Sequence, residues 1–455
     1  MVPRTVTRIG IVAGEASGDL LGAGLMRELR KRLPGISFEG IGGPQMQAQG
    51  CRSLFPMDRL SVIGFEGVEK YPEILGIRNK LGEHFLSSPP DLFIGIDVPD
   101  FNLGLEENLK AAGIPTVHYV SPTVWAWRSW RIRKIRRAVD HMLTLFPFEA
   151  SYYRKHRVPV TFVGHPLADQ ISDRSNAVAM RRALHLPAKG TVIALLPGSR
   201  RSELMRHADL FVKTALWLHK RHENIHFVAP FVSPETRAIF EEALYRHGAW
   251  FLPVTIVANQ SRDAMAAADI VLLASGTATL EAALLRKPMV VTYKMSWLSY
   301  LLVWPFLNVD LYALPNILAG RKIVPELMQR DATPEKLGIA IEDFLTHRDK
   351  ARSLRAVLAD MHRSLRRHAD ARAAEAVMRL LKPRMTSGKA PGKYSKANTP
   401  SPLTGGEAEQ SWKSGGLPCR RTGAPRIGAP RAGNRDGGEH HRGSISLRSP
   451  SKGKR

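Results

Sequence analysis

The sequence predicts an α/β protein built as two doubly wound, Rossmann-like parallel-sheet domains facing a cleft. Three observations predict it. Short β-branched runs alternate with helical patterns, the alternation pauses once near residues 168–190, and polar, glycine-rich loops follow the strands. The first half opens with RIGIVAG (8–14) and the helical DLLGAGLMRELRKRL (19–33). FEGIGG (38–43) and DLFIGID (91–97) come next, then the helical NLGLEENLKAAG (102–113). TVHYVS (116–121), HMLTLF (141–146) and TFVGH (161–165) complete the first series. After the pause the strands resume with TVIALLPGS (191–199), HFVAP (226–230), FLPVTIV (251–257), IVLLAS (270–275) and MVVTYK (289–294). The expected division is 1–170 for the first domain, 171–382 for the second with terminal helices, and 383–455 for a tail.

Composition narrows the partners. A chain of 455 residues with 44% apolar content can bury two cores of ordinary size. The net charge is +25, and the stretch 383–455 holds fifteen Lys/Arg against four Asp/Glu, with thirteen Gly and eight Pro. That stretch has too few aliphatic residues to offset the entropy of ordering, so it is expected to be disordered. The remainder is still basic, which suits phosphorylated ligands or acidic lipid surfaces. Only Cys51 and Cys419 occur, which argues for a reducing cytoplasm and against a disulfide framework or a cysteine zinc site. The opening MVPRTVTRIGIVAG enters a strand without an apolar signal region, so export is not expected. The most apolar stretch, MSWLSYLLVWPFLNV (295–309), is too short to span a bilayer comfortably and is broken by Pro305; it can lie on a membrane.

In open α/β sheets ligands bind outside the carboxyl ends of the strands. The loops at those ends are GEASGD (14–19), DVPDFN (97–102), SPTVWAWR (121–128), PGSRRSE (197–203) and SGTATLE (275–281). Neither GxGxxG nor GxxxxGK[ST] is present, so a dinucleotide fingerprint and a P-loop are both unsupported. Ser275, Gly276 and Thr277 join a buried strand to a helix N-terminus, an anion-binding arrangement; a plain turn capped by Thr277 or Thr279 is the other reading. Gly198, Ser199 and Arg200 stand at a similar junction, where backbone N–H groups and a guanidinium suit a diphosphate, against a turn with Ser199 as cap. Glu281 is placed to accept from ribose hydroxyls or to complement the helix dipole.

Asp97 ends a strand and is a candidate general base; Pro99 is expected to hold Val98 extended, and Asp100 to cap the following helix. Glu15 and Asp19 supply further carboxylates across the same cleft, although Asp19 could also be a helix cap, and spacing does not rank Glu15 against Asp97. The run WAWRSWRIRKIRRAVDHM (125–142) interleaves Trp127 and Trp130 with Arg128, Arg131 and other cations. Its charges occupy most faces of a helix, so acidic lipid, a sugar phosphate, nucleic acid or plain solvation all remain open. The histidines have no carboxylate or cysteine spaced to complete a metal site, and none is expected.

Taken in order, VAGEASGD, IGGPQMQAQG, GIDVPDFN, HYVSPTVWAWR, FVGHPLAD, LLPGSRRSE, LLASGTATLEAAL, PMVVTYKM and LPNILAG resemble the lipid-A-disaccharide synthase family, collinearly over roughly residues 8–382. The resemblance implies a GT-B glycosyltransferase with acceptor mainly on the N-terminal side and UDP-sugar on the C-terminal side. By position it puts Ser275, Gly276 and Thr277 at the diphosphate, Gly198, Ser199 and Arg200 at the nucleotide, Glu281 at the ribose and Asn316 along the donor side. Asp97 matches the family's candidate base and Glu15 its other acidic candidate, while Trp127, Arg128 and Arg131 fall on the acceptor or membrane side. The implied reaction joins UDP-2,3-diacylglucosamine to 2,3-diacylglucosamine 1-phosphate, giving the β-1,6 lipid A disaccharide 1-phosphate and UDP. It is an inverting displacement without metal or other cofactor, by a cytoplasmic protein resting on the inner leaflet and binding no nucleic acid. LSVIGFEGVEKYPEILGI (60–77) and 295–309 are the segments suited to acyl chains or lipid, or to ordinary core. A UDP-sugar epimerase of the same fold and a nonenzymatic basic membrane or nucleic-acid binder are the alternatives.

Overall fold

The computed structural model describes residues 7–60, 71–125, 129–172, 176–295 and 311–387. Trp127, Arg128, residues 61–70, residues 296–309 and the chain from 388 onward lie outside them.

Among the described residues the first sheet has seven strands: β1 (Arg8–Ala13), β2 (Ser37–Ile41), β3 (Cys51–Ser53), β4 (Leu92–Ile96), β5 (Thr116–Tyr119), β6 (His141–Thr144) and β7 (Val160–Phe162). Their order is β3-β2-β1-β4-β5-β6-β7, and every pairing is parallel. The connecting helices are α1 (Ala16–Arg32), α2 (Pro44–Ala48), α3 (Tyr71–Ser87), α4 (Pro99–Ala111), α5 (Ile132–Ala138) and α6 (Pro147–Lys155). A parallel sheet covered on both faces needs strands that are apolar on both sides. The sequence LFIGI of β4 supplies this, for all five residues are buried. Ile94 and Ile96 pack on one face with Ile9 and Ile11, while Phe93 packs on the other with Phe85 of α3 and Leu105 of α4.

After α7 (Pro166–Gln170) and α8 (Ala177–Ala183), the second sheet uses β8 (Thr191–Leu196), β9 (Ile225–Phe231), β10 (Val254–Ala258), β11 (Ile270–Ala274), β12 (Met289–Tyr293) and β13 (Glu326–Met328). Its order is β10-β9-β8-β11-β12-β13, again all parallel. Its helices are α9 (Arg201–His219), α10 (Pro234–Arg246), α11 (Ser261–Ala267), α12 (Ala278–Leu284), α13 (Leu314–Ala319), α14 (Pro334–Thr346) and α15 (Arg348–Leu365). In both sheets the order reverses beside the first strand, which opens a crevice at the carboxyl ends there.

A last helix, α16 (Ala369–Ser387), departs from the expected division. It lies on α1 and places Ala369, Ala373, Ala374, Val377 and Leu381 in the core of the first sheet. The helix therefore belongs to the first domain by packing, although its sequence falls in 171–382, and it runs five residues past the expected start of the tail. Conversely, Ala168, expected in the first domain, packs with the second sheet beside Ile171. The two passages between the sheets run side by side. His165 N–H donates to Leu365 O at 3.0 Å, and His362 Nε2 lies 2.8 Å from Ala168 O. The Asp169 carboxylate accepts from His368 N–H and Ala369 N–H at 2.9 and 2.7 Å and so caps α16. Gly164 has φ +95°, and a Cβ there would sit 2.7 Å from Leu365 O, so the crossing requires glycine.

Candidate active site

β1 and β4 are paired so that Ala13 lies opposite Ile96, which brings the residues that follow, Glu15 and Asp97, to the same edge of the first sheet. Glu15 occupies the N-cap position of α1 in extended conformation, yet its carboxylate makes no capping bond. That carboxyl is held above its ordinary range, first by burial and then by the charge of Asp97, against the opposing pull of Arg200. Arg200 follows β8 of the second sheet. Glu15 thus lies within electrostatic reach both of Asp97 on its own sheet and of Arg200 on the other.

Asp97 and Val98 are both left-handed, with φ of +53° and +43°. The expectation that Pro99 keeps Val98 extended is therefore incorrect: Val98 is the N-cap of α4, and Pro99 is its first residue. A β-branched residue in this region is strained, and each such residue costs about 1–3 kcal/mol unless its surroundings hold it. Asp100 is not the cap either. It sits in the first helical turn and forms an ion pair with Arg131. Asp19 leaves the list of cleft carboxylates, because it is buried and accepts from the N–H groups of Gln45 and Met46, both at 2.9 Å, at the start of α2. Its partners are distant in sequence.

In the second sheet, Gly198 adopts φ +138° after β8, and Arg200, not Ser199, is the N-cap of α9. The N–H groups of Ser199 and Arg200 both point at the Glu203 carboxylate, at 2.9 and 3.3 Å. The expected backbone cradle for a diphosphate is thus occupied by an internal anion, and the groups this loop leaves for a ligand are the exposed Arg200 guanidinium and the Ser199 side chain. Residue His207 was not singled out from sequence. Buried beneath this loop, its Nδ1–H donates to Pro197 O at 2.9 Å while Nε2 accepts from Lys294 N–H at 2.9 Å, tying the loop to the end of β12. Burial depresses its basicity, in keeping with a neutral ring that donates from one nitrogen and accepts at the other.

The loop after β11 leaves Gly276 and Thr277 exposed, with open space where a Gly276 Cβ would stand. Ser275 N–H is paired with Thr292 O at 2.9 Å, Thr277 is the N-cap of α12 without a side-chain bond, and the Thr279 hydroxyl donates to Gly276 O at 2.7 Å. Thr277 thus holds the cap position, but neither threonine side chain bonds a backbone N–H at the start of the helix. Glu281 lies one turn on and meets Arg262 at 3.4 Å. Asn316, expected along the donor side, is spent on its own loop. It is fully buried, donates to Val324 O at 2.9 Å and accepts from the N–H groups of Ile323 and Val324 at 2.7 and 2.9 Å. Its side chain folds the chain after α13 back on itself. Among the described residues no group of three or more His, Cys, Asp or Glu side chains is placed to hold a metal.

The family model for lipid-A-disaccharide synthetase matches residues 9–380. The chain belongs to this family. The lipid-A-disaccharide synthase of Hahella chejuensis is 51% identical over 375 residues, covering 82% of this chain and 94% of that one. That of Cellvibrio japonicus is 50% identical over 376 residues, covering 82% and 97%. Among solved structures, the UDP-GlcNAc 2-epimerase of Neisseria meningitidis bound to UDP-GlcNAc aligns with a TM-score of 0.56 at 13% identity, over 83% of this chain and 99% of the other. A glycosyltransferase from Rickettsia africae aligns at 0.52 with 11% identity, over 85% and 100%. At such identities these two likenesses speak to the two-domain GT-B fold alone. Family membership makes the protein a glycosyltransferase of lipid A biosynthesis.

Proposed function

We propose that the chain transfers 2,3-diacylglucosamine from UDP to the 6-hydroxyl of 2,3-diacylglucosamine 1-phosphate. The observation that carries the reading is the convergence of Glu15 and Asp97 from the first sheet with Arg200 from the second. The acceptor oxygen attacks the anomeric carbon as the bond to UDP breaks. The bonding pair leaves on the diphosphate, and the hydroxyl proton passes to Asp97, with inversion at carbon. A sugar hydroxyl is a poor nucleophile at neutral pH, so a positioned base is worth about 10²–10⁴-fold. Glu15, the carboxyl held up by burial, is placed to hydrogen-bond the acceptor.

On the donor side, Arg200 and Ser199 meet the nucleotide, the exposed Gly276–Thr277 backbone beside Ser275 meets the diphosphate, and Glu281 meets the ribose. Gly198 sets the course of the first of these loops. Because α12 has only seven residues, exposed loop donors contribute more here than its dipole. Arg200 stabilises the charge that develops on departing UDP, a task a divalent ion performs in other transferases. Asn316 acts through the fold of its loop.

Both substrates carry acyl chains, which favours work at the inner leaflet from the cytoplasmic side. Among the described residues no helix is long and apolar enough to cross a membrane. Leu60, Ile74 and Ile77 are core residues, so within 60–77 a lipid-facing role is left to the remaining residues, the exposed Tyr71 among them. Trp127, Arg128, Arg131 and 295–309 complete the proposed acceptor and lipid side. Incubating the protein with donor alone and then with both lipids tests the function. Disaccharide and UDP formed only with both lipids is the expected result; conversion of the donor sugar without acceptor would contradict it.

A further inference from the structure

A buried polar cluster lies beneath Asp97, where a doubly wound sheet ordinarily meets its helix through apolar contacts. Asn102, Glu106 and His118 are all fully buried. Asn102 and Glu106 stand one turn apart on the inner face of α4, and His118 is the register partner of Gly95 on the neighbouring strand. The Asn102 Nδ2 donates to Asp97 O at 2.8 Å and to Ile96 O at 3.3 Å. Both partners are acceptors, which fixes the orientation of the amide. Behind it, Glu106 Oε1 meets His118 Nδ1 at 2.7 Å. A Cβ on Gly95 would lie 2.1 Å from that same oxygen and 2.9 Å from Asn102 Cβ, so the glycine of LFIGI makes room for the cluster.

This arrangement bears on the two consecutive left-handed residues above it. Asp97 and Val98 have no glycine between them to make φ of +53° and +43° easy. Such a conformation persists when its surroundings over-determine it. The Asn102 amide grips the carbonyls of the two peptide groups on either side of Asp97, while the Glu106–His118 pair fixes Asn102 and its helix against β4 and β5. We infer that Asn102 is a positioning residue for the transfer reaction: by clamping the Ile96 and Asp97 carbonyls it holds the Asp97–Val98 turn left-handed and the Asp97 carboxylate at the sheet edge, with Glu106 and His118 bracing it. This inference rests on the reading of Asp97 as the base.

The test compares Asn102→Leu, similar in size but without a donor, with Asp97→Asn, Val98→Gly and the pair Asn102→Leu/Val98→Gly, reading kcat, KM, UDP affinity and melting temperature. Displacing a reacting group by about 1 Å is worth about 10²-fold in rate, so Asn102→Leu should lose about that much kcat while UDP affinity stays unchanged. Glycine at 98 adopts the left-handed turn without the clamp, so the pair should recover part of the loss relative to Val98→Gly alone. A folded Asn102→Leu protein with normal kcat overturns the inference, as does a loss that Val98→Gly does not relieve. If the leucine variant fails to fold, Asn102→Ala, which adds no bulk, carries the same comparison. Normal turnover by Asp97→Asn would overturn the base reading instead, and an inactive Asp97→Asn beside a normal Asn102→Leu would overturn only the positioning role.

Discussion

Arg200 is a second-sheet residue whose charge reaches the Glu15 carboxyl of the first, and its role separates donor binding from fold. Arg200→Ala removes a charge-assisted contact to the diphosphate and should weaken UDP binding about tenfold to a hundredfold with little change in melting temperature, as titration calorimetry would measure. Unchanged affinity would take the loop after β8 out of the nucleotide's path. A second residue-scale prediction concerns Glu149, buried in α6, where its carboxylate accepts from Phe146 N–H at 3.1 Å. Burial pushes this carboxyl from 4.5 up to about 8. The unfolded chain therefore releases the proton first as pH rises, and stability falls from about pH 4.5 to about pH 8, by several kcal/mol at most at about 1.4 kcal/mol per unit. Glu149→Gln should flatten that fall in denaturant titrations across the range; an unaltered slope would mean that the carboxyl ionises freely. At this scale the sequence made Glu15, Asp97 and Arg200 legible, because chemistry at a parallel sheet gathers at strand ends. It did not reveal which backbone N–H groups, far along the chain, Asp19 is spent on, that Asn316 is spent within its own loop, or that Glu203 fills the backbone cradle at Ser199 and Arg200. A polar side chain in a loop motif reads alike whether it faces a ligand or folds back on the chain.

The strands were legible wherever runs such as LFIGI and IVLLA are buried on both faces. β3 and β13 were not, since CRS and ELM lack an apolar run and their pairing comes from tertiary neighbours. Nor was the destination of α16. Its alanine-rich pattern announces a helix with an apolar stripe, but the stripe fits either core, and the choice is made by the crossing at Gly164 and the cap from Asp169. Asp169→Ala should therefore cost about 1–2 kcal/mol, near the upper range for a cap because two N–H groups lose one carboxylate. Thermal unfolding of the variant would measure it, and an unshifted transition would show that the packing of α16 on α1 suffices without the cap.

For the whole molecule, the return of α16 sets where the chain can be shortened. Removing 388–455 takes away no described element, and melting temperature and turnover should stay close to those of the full chain. Removing 369–455 strips Ala373, Val377 and Leu381 from the first core and should destabilise the domain that carries Asp97 by several kcal/mol. Similar melting temperatures for the two truncations would contradict the assignment of α16 to that core. The central claim joins both sheets in one reaction, with the proton leaving to Asp97 of the first as UDP leaves toward Arg200 of the second. Turnover of Asp97→Asn at saturating donor and acceptor tests it most directly, since the substitution keeps size and most hydrogen bonding but cannot take the proton. A fall of about 10²–10⁴-fold in disaccharide formation is the predicted result; near-normal turnover by that variant would contradict the account.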